Sequence, residues 1–236
     1  MNKILIITVR ELKVFFDSLM AYIMLLAFLG FSGFFTWLFG SDIFFVGQAS
    51  LTTFFAIAFW TLFFFIPALT MRMLAEEKKT GTLEILLTMP VTNWEIVLGK
   101  FFSVLAVIAF ALLLTLPYYF SVSSLGHIDH GSVWCGYLAL LMLSAFYISI
   151  GIFASSISNN QIIGFLLTLL IGIFFHFIFE ALAGGSSGLL GHILSYLSVA
   201  SHFQSMARGV IDSKDIIYFL SFIWLGLFMS QKQLKY

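Results

Sequence analysis

The chain has 236 residues, of which 61% are hydrophobic and 9% are charged, and its formal net charge at pH 7 is zero. A typical soluble domain has about 25% charged residues, so this composition excludes a soluble globular protein and predicts a membrane protein. A neutral chain without a basic stripe also argues against nucleic acid as a partner. Because Cys135 is the single cysteine, no disulfide can form within the chain.

Six apolar stretches are each long enough to cross a bilayer, or nearly so, given that a spanning helix needs about 20 residues. They predict an all-α, polytopic membrane protein whose single transmembrane domain covers residues 1–236. The predicted spans are residues 18–39, 51–71, 101–120, 133–154, 162–182 and 216–230. The sixth stretch is the shortest, and a capping side chain at Asp212 or Ser213 predicts that its helix begins earlier.

Two segments outside the spans are predicted to lie at the membrane surface. Residues 2–17 mix apolar and basic side chains, which favours an N-terminal interfacial helix whose basic groups reach water. A long first helix with charged flanks is the alternative interpretation. Residues 183–211 are too short and too polar for two spans, so we expect short re-entrant or interfacial helices before the sixth span.

The lysines and arginines predict the orientation of the chain. If the N-terminus is cytoplasmic, nine basic residues lie inside and two, Arg208 and Lys214, lie outside. The nine inside residues are Lys3, Arg10, Lys13, Arg72, Lys78, Lys79, Lys100, Lys232 and Lys235. The positive-inside rule therefore predicts that both termini face the cytoplasm, together with the segment from Met71 to Lys100.

The segment between the second and third spans is the most polar internal part of the sequence. Gly81 is expected to end the helix that continues from the second span, and Pro90 to end a short helix over residues 83–88. Three leucines share one face of that short helix: Leu83, Leu86 and Leu87. An exposed apolar face beside Glu84 would be a docking surface for another protein. An ordinary hairpin that packs on the protein's own surface is the alternative.

A strong helix-start signal follows. The run Thr92-Asn93-Trp94-Glu95 has the pattern of a capping box, in which Thr92 and Glu95 each bind the other's backbone amide. Val91 and Ile96 occupy the positions of a hydrophobic staple. The third helix is therefore predicted to start at Thr92, before it enters the bilayer, so that the preceding loop is held rigidly to the third span.

The run from Ala75 to Lys100 resembles the first cytoplasmic loop of type-2 ABC transporter permeases. The matching positions are Glu76, Glu77, Gly81, Thr82, Glu84, Leu86, Leu87, Pro90, Gly99 and Lys100. Within that superfamily the chain is similar to the permease subunits associated with gliding-motility ABC systems. The residues that carry this second resemblance are 194–198, 201–203 and 208–212, just before the last span, and 160–161.

The resemblance implies a permease subunit of an ATP-driven exporter in the plasma (inner) membrane. Such a subunit pairs with a second permease subunit, as a homodimer or a heterodimer, and two separate ABC ATP-binding subunits dock beneath the pair. An auxiliary membrane protein with a large extracytoplasmic domain is a further implied partner. The chain has no Walker A pattern, so we expect no cofactor on it, and ATP and Mg²⁺ belong to the partner ATPase.

In this resemblance the helix over residues 83–88 is a cytoplasmic coupling helix that sits in a cleft of the ATPase. Closure of the ATPase would then push on the second and third spans. The residues assigned to ATPase coupling are Glu76, Glu77, Gly81, Thr82, Leu83, Glu84, Leu86, Leu87 and Pro90.

His176 and Glu180 are four residues apart in the fifth predicted span, so they face the same way on a helix. Ionisable side chains inside a bilayer are candidates for function, which makes this pair a candidate for translocation or gating. A pair at the wet rim of the protein is the alternative interpretation.

Three potential metal ligands stand close together in an outer loop: His127, Asp129 and His130. Zinc and copper accept imidazole, but a loop that is polar because it is wet explains these residues equally well. With no fourth ligand nearby, we expect no metal site.

Three other functions compete with an exporter subunit. An ATPase-docked scaffold or mechanotransducing subunit would share the same loop and move no substrate. A secondary transporter or channel usually has several charges near the membrane midplane, and the span interiors here are almost free of charge. An intramembrane enzyme would need a catalytic motif, and the sequence contains no His-Glu-x-x-His and no Gly-x-Ser-x-Gly pattern, so we assign no catalytic residue.

Overall fold

The computed structural model describes residues 3–38, 50–88, 90–185 and 188–234. These residues form helices joined by loops, and no strand occurs among them. Six helical segments in the described part of the chain are long and apolar enough to cross a membrane. The protein is therefore an all-α polytopic membrane protein, which confirms the prediction made from composition and hydrophobic pattern.

The helices of the first half, in chain order, are α1 (Lys3–Asp17), α2 (Leu19–Trp37), α3 (Thr52–Thr70), α4 (Ala75–Thr80), α5 (Thr82–Thr88), α6 (Asn93–Leu113) and α7 (Leu116–Leu125). Helix α2 is the first span. The second runs through α3 and α4, and the third through α6 and α7. A break at Ser18 separates α1 from the first span. The end of the predicted first span, Phe39, lies outside the described residues.

The second half contains α8 (His130–Ile157), α9 (Gln161–Ile173), a π-helical turn (Phe174–Ile178), α10 (Phe179–Gly185), α11 (Leu189–Leu197), α12 (Val199–Ala207) and α13 (Ser213–Gln233). Helix α8 is the fourth span, α13 is the sixth, and the fifth runs from α9 through the π-helical turn to α10. Two short helices, α11 and α12, thus precede the sixth span.

Helix α13 starts earlier than its apolar stretch because Asp212 caps it. The Asp212 carboxylate accepts a hydrogen bond from the backbone N–H of Lys214 at 3.2 Å, and this bond lowers the pKa of Asp212. The helix has 21 residues, which at about 1.5 Å per residue suffices for a hydrocarbon core of about 30 Å.

Two prolines in the second and third spans have different effects. Pro67 lies inside α3 without ending it. Pro117 lies in the first turn of α7, a position where its missing N–H costs nothing. The third span therefore breaks between α6 and α7, at Leu114 and Thr115, instead of bending around the proline.

Helix α8 is the centre of the bundle. In the apolar stretch that crosses the membrane, 78% of the residues of α8 are buried, whereas the shares for α2 and for the fifth span are 28% and 22%. Helix α8 packs against α13, α9, α3, α12 and α6. The peripheral helices therefore have broad apolar faces available to lipid, and α8 is the helix on which the others pack.

Helix α1 packs closely on α6. A Cβ added at Gly99 would lie 2.5 Å from Cγ2 of Ile7, so only glycine fits at this crossing. The Thr8 hydroxyl donates to the Gly99 carbonyl oxygen at 3.2 Å. The N-terminal helix is therefore fixed against the third span.

Candidate coupling site

The chain ends and the segment between the second and third spans lie at one end of the bundle, which we call the N-terminal side. The Lys3 ammonium donates to the carbonyl oxygen of Pro90 at 2.5 Å. The rings of Trp94, in the first turn of α6, and Phe228, near the end of α13, lie 6.5 Å apart. We call the opposite end, with α7, α10, α11 and α12, the far side.

Gly81 produces the turn between α4 and α5. Its φ of +71° lies in the left-handed region that favours glycine, and its N–H donates to the carbonyl of Lys78 at 3.3 Å. The hydroxyls of Thr80 and Thr82 are hydrogen-bonded across the turn at 2.9 Å. The chain thus ends one short helix and starts the next within a single residue.

Helix α5 turns two of its leucines into the protein. Leu83 is 8% exposed and Leu86 is 9% exposed, so the expectation of an exposed apolar face is wrong for these two. The physical reason is that both leucines join the protein's own hydrophobic core; Leu86 lines one cleft with Phe15 of α1. The side chain of Leu87 lies outside the described part of the structure. The exposed residues from Glu76 to Pro90, among those whose side chains are described, are Glu76, Lys79, Thr80, Gly81, Thr82, Glu84, Thr88 and Pro90.

Four charged residues form a network next to this segment, which we call the charge cluster: Arg10, Glu11, Glu77 and Lys100. Lys100 and Glu11 are buried, Glu77 is partly buried and Arg10 is exposed. The Lys100 side chain is 1% exposed, and its Nζ lies 2.8 Å from Oε1 of Glu77 and 3.4 Å from Oε1 of Glu11. Nη2 of Arg10 lies 2.5 Å from Oε1 of Glu11 and 3.6 Å from Oε1 of Glu77. Two positive and two negative charges therefore balance.

The charge cluster joins three elements of the fold. Glu77 comes from α4, Arg10 and Glu11 come from α1, and Lys100 comes from the start of the third span. A buried ammonium is stable only when it is paired and hydrogen-bonded. These bonds therefore hold α4 in a fixed position relative to α1 and α6.

A cleft of about 490 Å³ adjoins the cluster between α1, α4 and α5. Arg72 lies in its wall, with its guanidinium 5.0 Å from the ring centroid of Phe15 and Nη2 donating to the Ser18 hydroxyl at 3.1 Å. In the described part of the chain, Oε2 of Glu77 is buried and has no hydrogen-bond partner.

The same segment is also bonded to the central helix. The backbone N–H groups of Leu74 and Ala75 both donate to the hydroxyl oxygen of Ser155 at 3.0 Å, and this hydroxyl donates to the Met71 carbonyl at 3.1 Å. The Lys78 ammonium donates to the Ser156 carbonyl. A displacement of α4 would thus act on α8 as well as on α6.

Helix α6 begins with a capping box. The Thr92 hydroxyl accepts from the Glu95 N–H at 3.3 Å, and the Glu95 carboxylate accepts from the Thr92 N–H at 2.7 Å. This geometry fixes the direction in which the chain enters the third span.

His176 lies within the π-helical turn of the fifth span and is 2% exposed. Its ring stacks on Phe59 and Phe63 at 4.1 and 4.5 Å, and Nδ1 lies 2.7 Å from the Tyr147 hydroxyl. Nε2 is buried and unpartnered among the described residues. Glu180 is exposed, and both residues line one cavity of about 280 Å³.

The far side contains a second buried histidine that sequence reasoning missed. Nδ1 of His202 lies 2.6 Å from Oδ1 of Asp215, and Nε2 lies 2.9 Å from the carbonyl oxygen of Tyr196. The His202 ring stacks on Tyr218 at 4.0 Å. An aspartate in the first turn of an apolar helix was the available signal, but it also fits a helix start.

The three potential metal ligands between the third and fourth spans have separate positions. Asp129 caps α8 through the N–H of Gly131 at 2.9 Å, His130 bonds to the Tyr119 hydroxyl at 2.8 Å, and His127 is exposed. Within the described ranges, no group of three or more His, Cys, Asp or Glu side chains is arranged to hold a metal ion.

Comparison with known protein families gives one match. Residues 12–228 match the family described as ABC-2 family transporter protein. No curated protein matches the chain. The family match includes five of the six spans in full, most of the sixth and the segment α4–α5. Of the charge cluster it includes Glu77 and Lys100, whereas Arg10 and Glu11 lie just before its first residue. Since the match covers most of the sequence and agrees with six membrane-spanning helices, the chain belongs to the ABC-2 family of membrane transport proteins.

Proposed function

We propose that this protein is the permease subunit of an ATP-driven exporter, and that it converts ATP hydrolysis on a separate ABC ATP-binding subunit into movement of its spans. Membership of the ABC-2 family supports a permease subunit of an ABC transporter. The observation that carries the proposal further is the charge cluster, which joins α4 to α1 and α6 through Lys100. Transmission of force from the loop to the spans requires a connection of this kind.

The N-terminal side is proposed to face the cytoplasm of a plasma (inner) membrane. Most of the basic residues belong to this side, while Arg208 and Lys214 belong to the far side. That distribution agrees with the positive-inside rule. Lys235 lies outside the described residues. Helix α1, with Leu5 and Val14 exposed, would then lie at the cytoplasmic headgroup level, and α11 and α12 would lie at the outer one.

Force would pass from the ATPase to the spans by two routes. The exposed side chains of Glu76, Glu84 and Thr88 are placed to contact the ATPase, while buried Leu83 and Leu86 hold α5 to the permease. The first route runs from Glu77 through Lys100 to the third span, and the second from the α4 backbone through Ser155 to α8. ATP and Mg²⁺ would bind to the partner subunit, and none of this chain's residues is assigned to them.

A second permease subunit, identical or related, is proposed to complete the complex. An auxiliary membrane protein with a large extracytoplasmic domain follows from the similarity to gliding-motility permeases, a subfamily assignment that is itself part of the proposal. His176 and Glu180 are proposed to act in translocation or gating, because both line one cavity between the second and fifth spans.

The test is to co-express the chain with the ABC ATP-binding subunit encoded next to it, purify the complex, and measure ATP hydrolysis. Glu84→Lys reverses an exposed charge on α5, and Lys214→Glu reverses an exposed charge on the far side as a matched control. We expect Glu84→Lys to reduce co-purification or ATP turnover at least tenfold, and Lys214→Glu to leave both unchanged.

Equal behaviour of the two variants, or no association of the wild type with the ATPase, would contradict the coupling role. A second measurement, ATP turnover in the presence of added substrate, distinguishes an exporter from a scaffold. ATP turnover stimulated by an added substrate supports export, whereas a docked ATPase whose turnover no transported compound alters favours a scaffold.

A further inference from the structure

The cavity next to His176 has the features of a lipid site. It lies at the far side between α3, the fifth span and α12, and has a volume of about 280 Å³. Two of its lining side chains, Trp60 and Phe177, are 50% and 58% exposed. Since these residues belong to membrane spans, the cavity opens sideways toward the bilayer.

Polar and apolar residues are separated within the cavity. Thr52, Glu180, Gln204 and Arg208 line it together with an aromatic wall from α3, the fifth span and α12, whose members are Phe55, Phe59, Trp60, Phe177 and Phe203. Thr52 is the first residue of α3 and Glu180 lies near the end of the fifth span, so the polar part is the outer rim. The rim carries one negative and one positive side chain, which suits a zwitterionic head group.

His176 provides a polar atom one turn below this rim. It precedes Glu180 by four residues, which corresponds to about 6 Å along a helix. Its Nε2 is buried and has no partner in the described part of the chain, and a buried polar atom without a hydrogen bond is destabilising. The π-helical turn that carries His176 is a rare local structure often found at functional sites.

The hydrogen bond to Tyr147 determines which ring nitrogen of His176 carries the hydrogen. Among the described residues, His176 Nδ1 is the partner of this buried hydroxyl, at 2.7 Å. If Nδ1–H donated to the phenol oxygen, the phenol hydrogen would be buried without an acceptor. The satisfied arrangement has Tyr147 donating to Nδ1, which places the ring hydrogen on Nε2. His176 therefore presents an unpaired N–H donor and requires an acceptor.

We propose that this cavity binds a zwitterionic glycerophospholipid from the adjoining leaflet. Its phosphate would lie next to Arg208, its ammonium next to Glu180, and an ester carbonyl would accept the hydrogen bond from Nε2 of His176. The acyl chain would then lie on Trp60 and Phe177. The inference rests on the proposed function only in taking the far side as the outer leaflet.

The experiment compares two phosphatidylethanolamines with the same head group, one with ester-linked chains and one with ether-linked chains that lack carbonyl oxygens. Their binding to the purified full chain in detergent is titrated by native mass spectrometry. We expect the wild type to bind the diester about tenfold more tightly, the effect of one buried hydrogen bond. His176→Phe should abolish this preference, while His127→Phe, an exposed control in the far-side loop, should retain it.

Arg208→Gln is a second variant at an exposed position, where folding is not at risk. It should weaken binding of both lipids about tenfold without changing the preference between them. Equal binding of the two lipids by the wild type, or an unchanged preference in His176→Phe, would overturn the proposal.

Two further measurements are needed. One distinguishes a transported lipid from a resident one, and the other distinguishes failure of this inference from failure of the proposed function. In proteoliposomes with the ATPase, ATP-dependent transfer of a fluorescent phosphatidylethanolamine identifies a transported lipid, and binding without transfer identifies a resident one. Loss of lipid preference with intact ATPase docking overturns this inference alone. Loss of docking with an intact preference overturns the proposed function alone.

Discussion

Lys100 and His176, at opposite ends of the molecule, are buried polar residues that differ in their hydrogen bonding. At the N-terminal side, the Lys100 ammonium is in contact with two carboxylates within 3.4 Å. At the far side, Nε2 of His176 has no partner among the described residues. A fully paired group contributes to a fixed connection between helices, whereas an unpaired one leaves a position for something that is not part of the chain.

The largest expected loss of stability comes from removing the Lys100 ammonium from the charge cluster. Lys100→Met keeps an unbranched apolar stem, one atom shorter, but removes the ammonium and leaves the two carboxylates of Glu11 and Glu77 with one unbalanced charge. We expect this to lower the free energy of unfolding by about 3–5 kcal/mol. Denaturant unfolding in detergent measures this, with Lys79→Met at an exposed position as the control. Similar stabilities of the two variants would show that the cluster is not a structural connection.

A smaller effect is expected where the loop meets the central helix. Ser155→Ala removes the acceptor for the N–H groups of Leu74 and Ala75, and leaving buried donors unpaired costs about 1–3 kcal/mol. The same unfolding assay applies, with Ser124→Ala on exposed α7 as the matched change. If ATP turnover and stability both survive the loss of Ser155, the route through α8 carries no force.

The smallest change in stability is expected when His176 and its partner Tyr147 are replaced together. Replacing both His176 and Tyr147 with phenylalanine removes a hydrogen bond together with both of its partners and the unpaired N–H, so the free energy of unfolding should change by less than about 1 kcal/mol. Unfolding of the double variant and of each single variant measures this. A loss of unfolding free energy comparable to that of Lys100→Met would mean that His176 is a structural residue. Lys100 and His176 would then not differ in role.

Local signals in the sequence were sufficient for the helices and their ends. Apolar stretches predicted the six spans, and Gly81 marks the turn between α4 and α5 because a left-handed φ favours glycine. Thr92 and Glu95 carry their hydrogen-bonding pattern within four residues, so no knowledge of packing was needed to expect it.

Contacts between distant parts of the chain were beyond sequence reasoning. Lys100 and Glu11 are 89 positions apart, and their pairing depends on the crossing of α1 over α6 at Gly99. The burial of Leu83 and Leu86 was equally hidden, because periodicity shows that leucines share a helix face but not what that face packs against. The π-helical turn around His176 changes the local register, which no spacing rule anticipates.

The contacts of His202 have a consequence for how the far side is held together. Nδ1 of His202 lies 2.6 Å from Oδ1 of Asp215, and Nε2 lies 2.9 Å from the carbonyl oxygen of Tyr196. Asp215 belongs to α13 and Tyr196 to α11, so one ring of α12 bonds to the helix before it and to the helix after it. The two short helices and the start of the sixth span are therefore joined through a single side chain.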